Sequence, residues 1–321
     1  MTKLCMTFML AATTFAVNAE RVKATFTIVD DWGAPVTNAS VKILTPRHAY
    51  TLSWNKSIPY SEYNTKTDEK GCATCSFASP QRRFSLCLYA PGFYYERQSN
   101  IFFGKSNELN VPILMRKIVN PIEMIMTELV RCQFPSNEGT FYFDLEKGDW
   151  VAPGREGAVA DLGIEYSCRV SEARTECRTK ITFLSGGAYK RKKINSYSFK
   201  SEYRADTNEV YETTFLHTLS FDMPGRVNRI LSSALAEDEY LVFRTRVVRD
   251  KDGKIISANY GKIYGAMGAF QNFGYSSCFF NPVQNDTNLE DIRMFRRYEA
   301  IKRQEEERSR KSWDIMGLFG K

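Results

Sequence analysis

The sequence predicts a mainly β protein: an N-terminal β-sandwich, a second antiparallel β domain and a charged C-terminal helix. Three observations predict it. Short runs rich in Val, Ile, Thr, Tyr and Phe alternate apolar with polar residues along most of the chain, the period of a half-buried strand. Gly, Pro, Asn and Asp cluster between these runs, where turns and corners need them. Aromatic residues make up 13% of the 321 residues, with 17 Tyr and 22 Phe, which suits folded β structure and argues against disorder.

At the start, Lys3 precedes an apolar run from Leu4 to Val17, and Val17-Asn18-Ala19 forms a small-residue cleavage site before Glu20. This pattern predicts a signal peptide over residues 1–19 and an exported mature chain beginning near Glu20. The run is shorter than the roughly 20 apolar residues that a bilayer span needs. A buried N-terminal helix is the competing reading. Cys5 lies before the apolar run ends, the wrong place for a lipid-modified cysteine. No later segment is long and apolar enough for a membrane helix, so a soluble protein of the periplasm, outer surface or medium is expected.

Residues 20–116 read as the first domain. A strand ends at Asp30, a tight turn falls at Gly33, Ala34-Pro35 cannot continue a central ladder, and a second strand reaches Val41 and Ile43. A polar stretch from Ser53 to Lys66 leads to the turn signature Thr67-Asp-Glu-Lys-Gly71 and a strand from Cys72 to Phe77. Another strand, Phe84 to Tyr89, ends in Ala90-Pro-Gly-Phe-Tyr94. Over residues 22–116 this order resembles the carboxypeptidase regulatory-like, or transthyretin-like, domain. The resemblance implies a seven-stranded sandwich, a structural or carbohydrate-binding-like appendage without catalytic residues. Turn and corner chemistry accounts for Trp32, Pro35, Gly71 and Gly92.

Residues 117–136 form a junction with a boundary near Asn120-Pro121, and a second, mostly antiparallel β domain is expected over 117–284. Thr140 to Leu145 alternates around Phe141 and Phe143. Ala160–Val170 with Thr175–Leu184, Tyr197–Arg204 with Glu209–Phe221, and Tyr240–Arg249 with Lys254–Tyr264 read as three hairpins. Asn228 to Ala236 is the best helical stretch inside the domain. Val119-Asn-Pro-Ile122, Phe143-Asp-Leu145, Gly148-Asp-Trp-Val151, Tyr260-Gly-Lys-Ile263, Asn281-Pro282 and Asn288-Leu-Glu290 resemble phrases of exported bacterial proteins that carry such a module ahead of an uncharacterised β domain. That resemblance implies the architecture and no mechanism.

Over 285–321 a helix is expected, with Asn288 as N-cap and Asp291 three residues on. Leu289, Ile292, Phe295, Tyr298 and Ile301 recur at helical spacing. Glu299 with Arg303, Glu306 with Arg310, and Glu307 with Lys311 form i,i+4 ion pairs. The stretch Trp313 to Phe319 is apolar for a chain end.

The formal charge of +7 includes Lys3 of the signal, and so small an excess does not imply nucleic acid. Neutral-pH catalysis usually needs a group that titrates near 7 or a metal, and the chain holds only His48 and His217. Neither lies in a motif. A satisfied or exposed strand histidine is the favoured reading of His217 over membership of a Ser-His-Asp triad. Asp250-Lys-Asp-Gly253 lacks the bidentate acid of a calcium loop and reads as a hairpin turn. Asp144, Asp149 and Asp161 suit either turn chemistry or an acid/base pair acting on a sugar. No catalytic residue, metal or cofactor is assigned.

Lys190-Arg191-Lys192-Lys193 concentrates positive charge, with Lys200 and Arg204 nearby and Tyr189, Tyr197 and Tyr203 interleaved. It is a candidate polyanion site, for an acidic polysaccharide or phosphorylated head group, against the reading of a solvated strand face. With Glu172-Ala173 as a two-residue turn, Cys168 lies opposite Cys177 at a non-hydrogen-bonded pair, where a disulfide is expected. Pairing Ala73 with Leu86 would set Cys72 opposite Cys87 for a second bridge. Cys75, Cys132 and Cys278 remain as buried thiols. Cys72-Ala-Thr-Cys75 sits in a strand and lacks partners for redox or zinc chemistry.

The function expected is that of a noncatalytic structural or binding protein of a bacterial envelope, its partner an envelope glycan or another envelope protein. A carbohydrate-binding module, which predicts a flat row of exposed aromatics, and a glycan- or peptide-processing enzyme in the second domain are the alternatives.

Overall fold

The computed structural model describes residues 20–46, 60–104, 106–223, 227–233, 235–265, 267, 271–293, 296, 299 and 300. The expected signal peptide, His48, the later ion pairs of the C-terminal helix and the Trp313–Phe319 stretch lie outside the described residues. The chain divides into two compact units, Met1–Arg116 and Lys117–Lys321. Both are built of strands, and no described helix is long and apolar enough to cross a membrane.

The first unit holds β1 (Glu20–Val29), β2 (Ser40–Pro46), β3 (Tyr60–Lys66), β4 (Cys72–Ser79), β5 (Arg83–Tyr89), β6 (Glu96–Phe102) and β7 (Glu108–Leu114). One sheet runs β4-β1-β7, with β1 and β7 parallel, and the other runs β3-β2-β5-β6. Alternate residues of both sheets fill one core: Val22, Phe26 and Ile28 of β1 meet Val41 and Ile43 of β2 and Phe84 and Leu86 of β5. The turns follow the expected chemistry. The Asp30 carboxylate accepts the amides of Trp32 and Ala34, and Asp68 accepts those of Lys70 and Cys72. Gly71 has φ +71°, and a Cβ there would run into the Ile28 carbonyl and Pro35, so only glycine fits.

One expectation fails here. β4 pairs with β1, whereas β5 pairs with β2 and β6. The short Ser79–Arg83 connection is an arch between two sheets, not a hairpin within one. Cys72 and Cys87 therefore stand on different sheets and are not disulfide-bonded. Local alternation does not distinguish the two, because an arch and a hairpin bury the same residues.

The second unit holds β8 (Ile125–Gln133), β9 (Glu138–Asp144), β10 (Asp149–Trp150), β11 (Leu162–Val170), β12 (Arg174–Phe183), β13 (Gly187–Lys192), β14 (Thr214–Asp222), β15 (Val227–Ser232), β16 (Glu239–Arg249), β17 (Ile255–Tyr264) and β18 (Asn272–Phe280). A six-stranded sheet, β10-β9-β11-β12-β14-β15, and a five-stranded sheet, β13-β16-β17-β18-β8, enclose an aromatic core. Phe143, Trp150 and Phe273 meet there at ring separations of 4.8–5.8 Å.

The β11–β12 and β16–β17 hairpins form as expected. Thr214–Asp222 becomes β14, but 197–204 is irregular: it lies over the outer face of the five-stranded sheet, burying Phe199 and Ser201. Of the stretch 228–236 expected to be helical, residues 228–232 instead belong to β15, which completes the ladder beside β14, and tertiary pairing outweighs local propensity. Asn288 is not the helix cap. It bridges Arg204, and helical geometry begins at Ile292, with the Asp291 carboxylate accepting the Arg293 amide.

Cys168 and Cys177 face each other across β11 and β12 and are disulfide-bonded, with Cα atoms 4.0 Å apart. The Cys168 amide turns away to the Asn137 carbonyl, so this is the expected non-hydrogen-bonded pair. The Ser171 amide donates to the Arg174 carbonyl, which closes the two-residue turn. Non-reducing peptide mapping should recover these cysteines as one linked peptide. Replacing both by Ser should lower the unfolding free energy measured in denaturant by no more than about 2–4 kcal/mol, since so short a loop restrains little of the unfolded chain.

Candidate functional site

Alternation gives the five-stranded sheet two apolar faces. Leu241, Phe243 and Ile263 point into the sandwich core, while Tyr240, Val242, Ala258 and Tyr260 point outward. Two segments cover much of the outer face, 193–212 and 281–293. The second is tied down by a polar knot: Asn281 Nδ2 donates to the carbonyls of Asp286 and Asn288, Asn259 Nδ2 donates to the Asn281 carbonyl, and Glu290 accepts the amides of Val119 and Asn120. The phrases Val119–Ile122, Tyr260–Ile263, Asn281-Pro282 and Asn288–Glu290 thus meet in space.

Lys262 holds this cover to the sheet. Its ammonium is buried among the rings of Phe199, Tyr264 and Phe279 and donates to Ser201 Oγ (2.8 Å) and the Leu289 carbonyl (2.6 Å). Sequence reasoning missed it, although one cation inside the otherwise uncharged Tyr260-Gly-Lys-Ile-Tyr264 was the available signal.

Where the cover stops, a groove of about 680 Å³ opens. Its floor is Lys262, Tyr264 and Phe279 with Phe199; Leu231 and Leu235 add apolar wall. Ser198, Ser233, Ser276 and Ser277 contribute hydroxyls, and Lys193, Lys200, Glu128 and Glu237 bring charge. Tyr197 is 45% exposed on the same lining.

His217 comes near this groove. On β14 it points inward, its Nδ1 is 3.3 Å from Ser233 Oγ, and its buried Nε2 has no hydrogen-bond partner. Burial first and the Lys190 charge second push its pKa down to about 4. The Leu235 amide donates to the same Ser233 Oγ. This is a neutral buried imidazole; a triad would orient the second ring nitrogen with a carboxylate.

The candidate acids Asp144 and Asp161 converge on a cation that sequence reasoning also missed. Arg246 donates to both oxygens of Asp161 and to Asp144 at 3.1 Å, and to Glu146 at 2.5 Å. It has φ +52° and sits where the β16–β17 register shifts. This bulge turns Arg246 to the side of Thr245, whose hydroxyl also donates to Asp161. Burial alone would raise both acids. For Asp144 the amides of Val159, Ala158 and Lys147, with Arg246, overcome it and hold the pKa below the usual range, whereas Asp161 stays raised. Asp149 accepts the Trp150 and Glu156 amides and pairs with Arg155. These acids are structural nodes and form no free acid/base pair.

The basic run is largely neutralised. Arg191 pairs with Glu202 and Glu209 and lies over the Tyr189 ring, Lys192 meets Asp238 at 3.6 Å, and Lys193 donates to the Glu237 carbonyl. Lys190 is exposed on the same face of β13 as Lys192, opposite Arg191. Strand alternation splits the run between faces, so 190–193 is not the contiguous cationic surface expected of a polyanion site; only Lys193 reaches the groove. Asp250–Gly253 is the expected turn, with Asp250 accepting the Asp252 and Lys254 amides. Among the described residues, no group of three or more His, Cys, Asp or Glu could hold a metal ion.

No model of a known protein family matches the chain, and no curated protein matches it. Among solved structures, an intradiol ring-cleavage dioxygenase from Tetranychus urticae is 21% identical over 27% of this chain and 53% of its own, with a TM-score of 0.22. The chain therefore spans about half of that enzyme's length. The shaft pilin spaA from Lactobacillus rhamnosus GG is 10% identical over 67% of this chain and 94% of its own, at a TM-score of 0.21. A streptococcal ancillary pilin is 11% identical over 65% and 60%, also at 0.21. Likeness at this level assigns neither activity nor partner.

Two outcomes follow from the buried charges. Arg246→Ala should destabilise the protein by about 3–5 kcal/mol in denaturant unfolding, because it strands buried carboxylates, and Arg246→Lys should rescue it only partly for want of the planar fork. For His217 the folded pKa near 4 lies below the unfolded value of 6.5, so the unfolded state binds the extra proton. Stability from this site is complete above pH 6.5 and falls by up to about 3 kcal/mol as pH drops toward 4. Unfolding curves at pH 7 and pH 4.5 should show that loss in the native chain and a smaller one in His217→Gln.

Proposed function

We propose that the protein is an exported, noncatalytic binding or structural component of a bacterial envelope. In this reading its first unit is a seven-stranded carboxypeptidase regulatory-like, transthyretin-like module, and its second unit carries the ligand surface. One observation carries the proposal: the second unit commits Asp144, Asp149, Asp161 and His217 to its own bonding and core while leaving open a groove lined with rings and hydroxyls. Such a lining suits recognition. The Cys168–Cys177 disulfide fits an oxidising compartment outside the cytoplasm, in agreement with the signal-like start.

The contact of His217 with Ser233 beside the groove favours an enzyme as the second reading. Against it stands the missing orienter of Nε2. A flat carbohydrate-binding face of exposed rings is less well supported. The solvent side of the six-stranded sheet presents a ladder of Glu165, Lys180, Ser167, Arg178 and Thr218, with Tyr142 at one side.

The test is sedimentation of the purified full chain with isolated bacterial envelope fractions. The chain should co-sediment, His217→Gln should do so equally, and envelope glycans and peptides should be recovered intact. Release of cleavage products that His217→Gln abolishes would replace the binding reading with the enzymatic one. A chain left wholly in the supernatant would overturn the binding reading.

A further inference from the structure

We infer that the free edge of β15, with the groove beside it, is a docking site for an extended polypeptide segment of a partner protein, which adds as a further strand to the six-stranded sheet. The inference rests on the binding reading above and adds the chemistry of the partner.

β15 stands last in the order β10-β9-β11-β12-β14-β15. Among the described residues, the backbone of Val227–Ser232 is paired with β14 alone, so the N–H and C=O groups on its other side form an open row. Ile230 and Leu231, neighbours on opposite faces of this edge, are 60% and 50% exposed. Proteins ordinarily blunt such an edge, and the second unit blunts its others. β13 carries Lys190, Arg191 and Lys192 and bridges to Glu212 through Ala188, β8 breaks its extended geometry at Leu129 with φ +49°, and β10 has only two residues. β15 carries one charge, Arg229, and no proline, and past its register shift Ile230–Ser232 run in regular pairing with Thr218–Ser220.

The groove supplies side-chain contacts for the added strand. Leu231 belongs to both features, and Ser233 and Leu235, just beyond β15, continue the same wall. A strand laid against β15 directs every second side chain to the Leu231 face, where the groove lies, and the intervening ones to the Ile230 face. Main-chain bonds then hold the ligand while the groove reads alternate side chains. Lys262 is committed to Ser201 and the Leu289 carbonyl, and the other two lysines of the lining, Lys193 and Lys200, are matched by Glu128 and Glu237. The lining therefore selects no net charge, and the segment it suits is uncharged and rich in the branched residues that favour strands.

Other occupants fit less well. An oligosaccharide meets the rings and hydroxyls of the groove but has no regular row of donors and acceptors to match the edge. A second copy joined edge to edge would bring a second Arg229 to the same strip, and like charges across a strand pair are unfavourable.

Isothermal titration of the full chain tests the inference with three probes: the acetylated and amidated heptapeptide Thr-Val-Thr-Val-Thr-Val-Thr, the same peptide N-methylated at every residue, and maltoheptaose. The plain peptide should bind. The methylated one keeps the side chains, loses the donors and should bind weaker by about tenfold or more. Hydrogen exchange of residues 227–232 should slow in the complex. Ile230→Lys and Leu231→Lys, both at exposed positions, should each weaken binding by about fivefold or more, with thermal unfolding unchanged. Equal affinity for the methylated peptide, binding of maltoheptaose alone, unaltered exchange at 227–232, or a concentration-dependent dimer that Ile230→Lys dissolves would overturn it. If the chain co-sediments with envelope but does not bind the plain peptide, this inference falls and the binding reading stands; if it does neither, both fall.

Discussion

The second unit is organised by a sheet that is apolar on both faces. Tyr240, Val242, Ala258 and Tyr260 of the five-stranded sheet point away from the sandwich core, and leaving such a face in water would forfeit roughly 25 cal/mol for each Å² exposed. The chain meets this constraint with irregular segments, which bring polar backbone into a buried place. Each amide and carbonyl then needs a partner. The knot of Asn281, Asp286, Asn288 and Glu290 supplies them, and the Lys262 ammonium takes the Leu289 carbonyl. The groove is the part of that face that the cover leaves open.

Buried charge is handled differently at each place. Lys262 is solvated by a hydroxyl, a carbonyl and ring faces. Arg246 is shared among Asp144, Glu146 and Asp161, which also draw on backbone amides and the Thr245 hydroxyl. His217 stays neutral. Such groups add little net stability compared with apolar replacements, but removing one partner is costly. Their common effect is to pin irregular backbone to a regular sheet: the 281–293 cover through Lys262, the 144–161 loops through Arg246.

These roles bear on function. Carboxylates and imidazoles in a chain of this size invite a catalytic reading. Here the shifted acids Asp144 and Asp161 sit in the Arg246 cage, and the groove collects serines, lysines and rings instead. A perturbed pKa thus marks a structural node at these two acids, away from the concave groove.

The sequence by itself determined what depends on neighbouring residues. Alternation and turn residues marked β11, β12, β16 and β17, the Asp30 and Asp68 turns, and through a two-residue turn the Cys168–Cys177 pairing, since a short hairpin sets its own register. Tertiary structure decided what depends on distant partners. Whether β5 folds back on β4 or crosses to β2, whether 227–232 forms a strand beside β14, and which half of 190–193 faces solvent all turn on pairing energies between segments far apart in sequence. The bulge that aims Arg246, and the cover whose edge makes the groove, leave only faint local signatures. A strand's own pattern says which residues it buries, while the identity of what buries them is set by the rest of the chain.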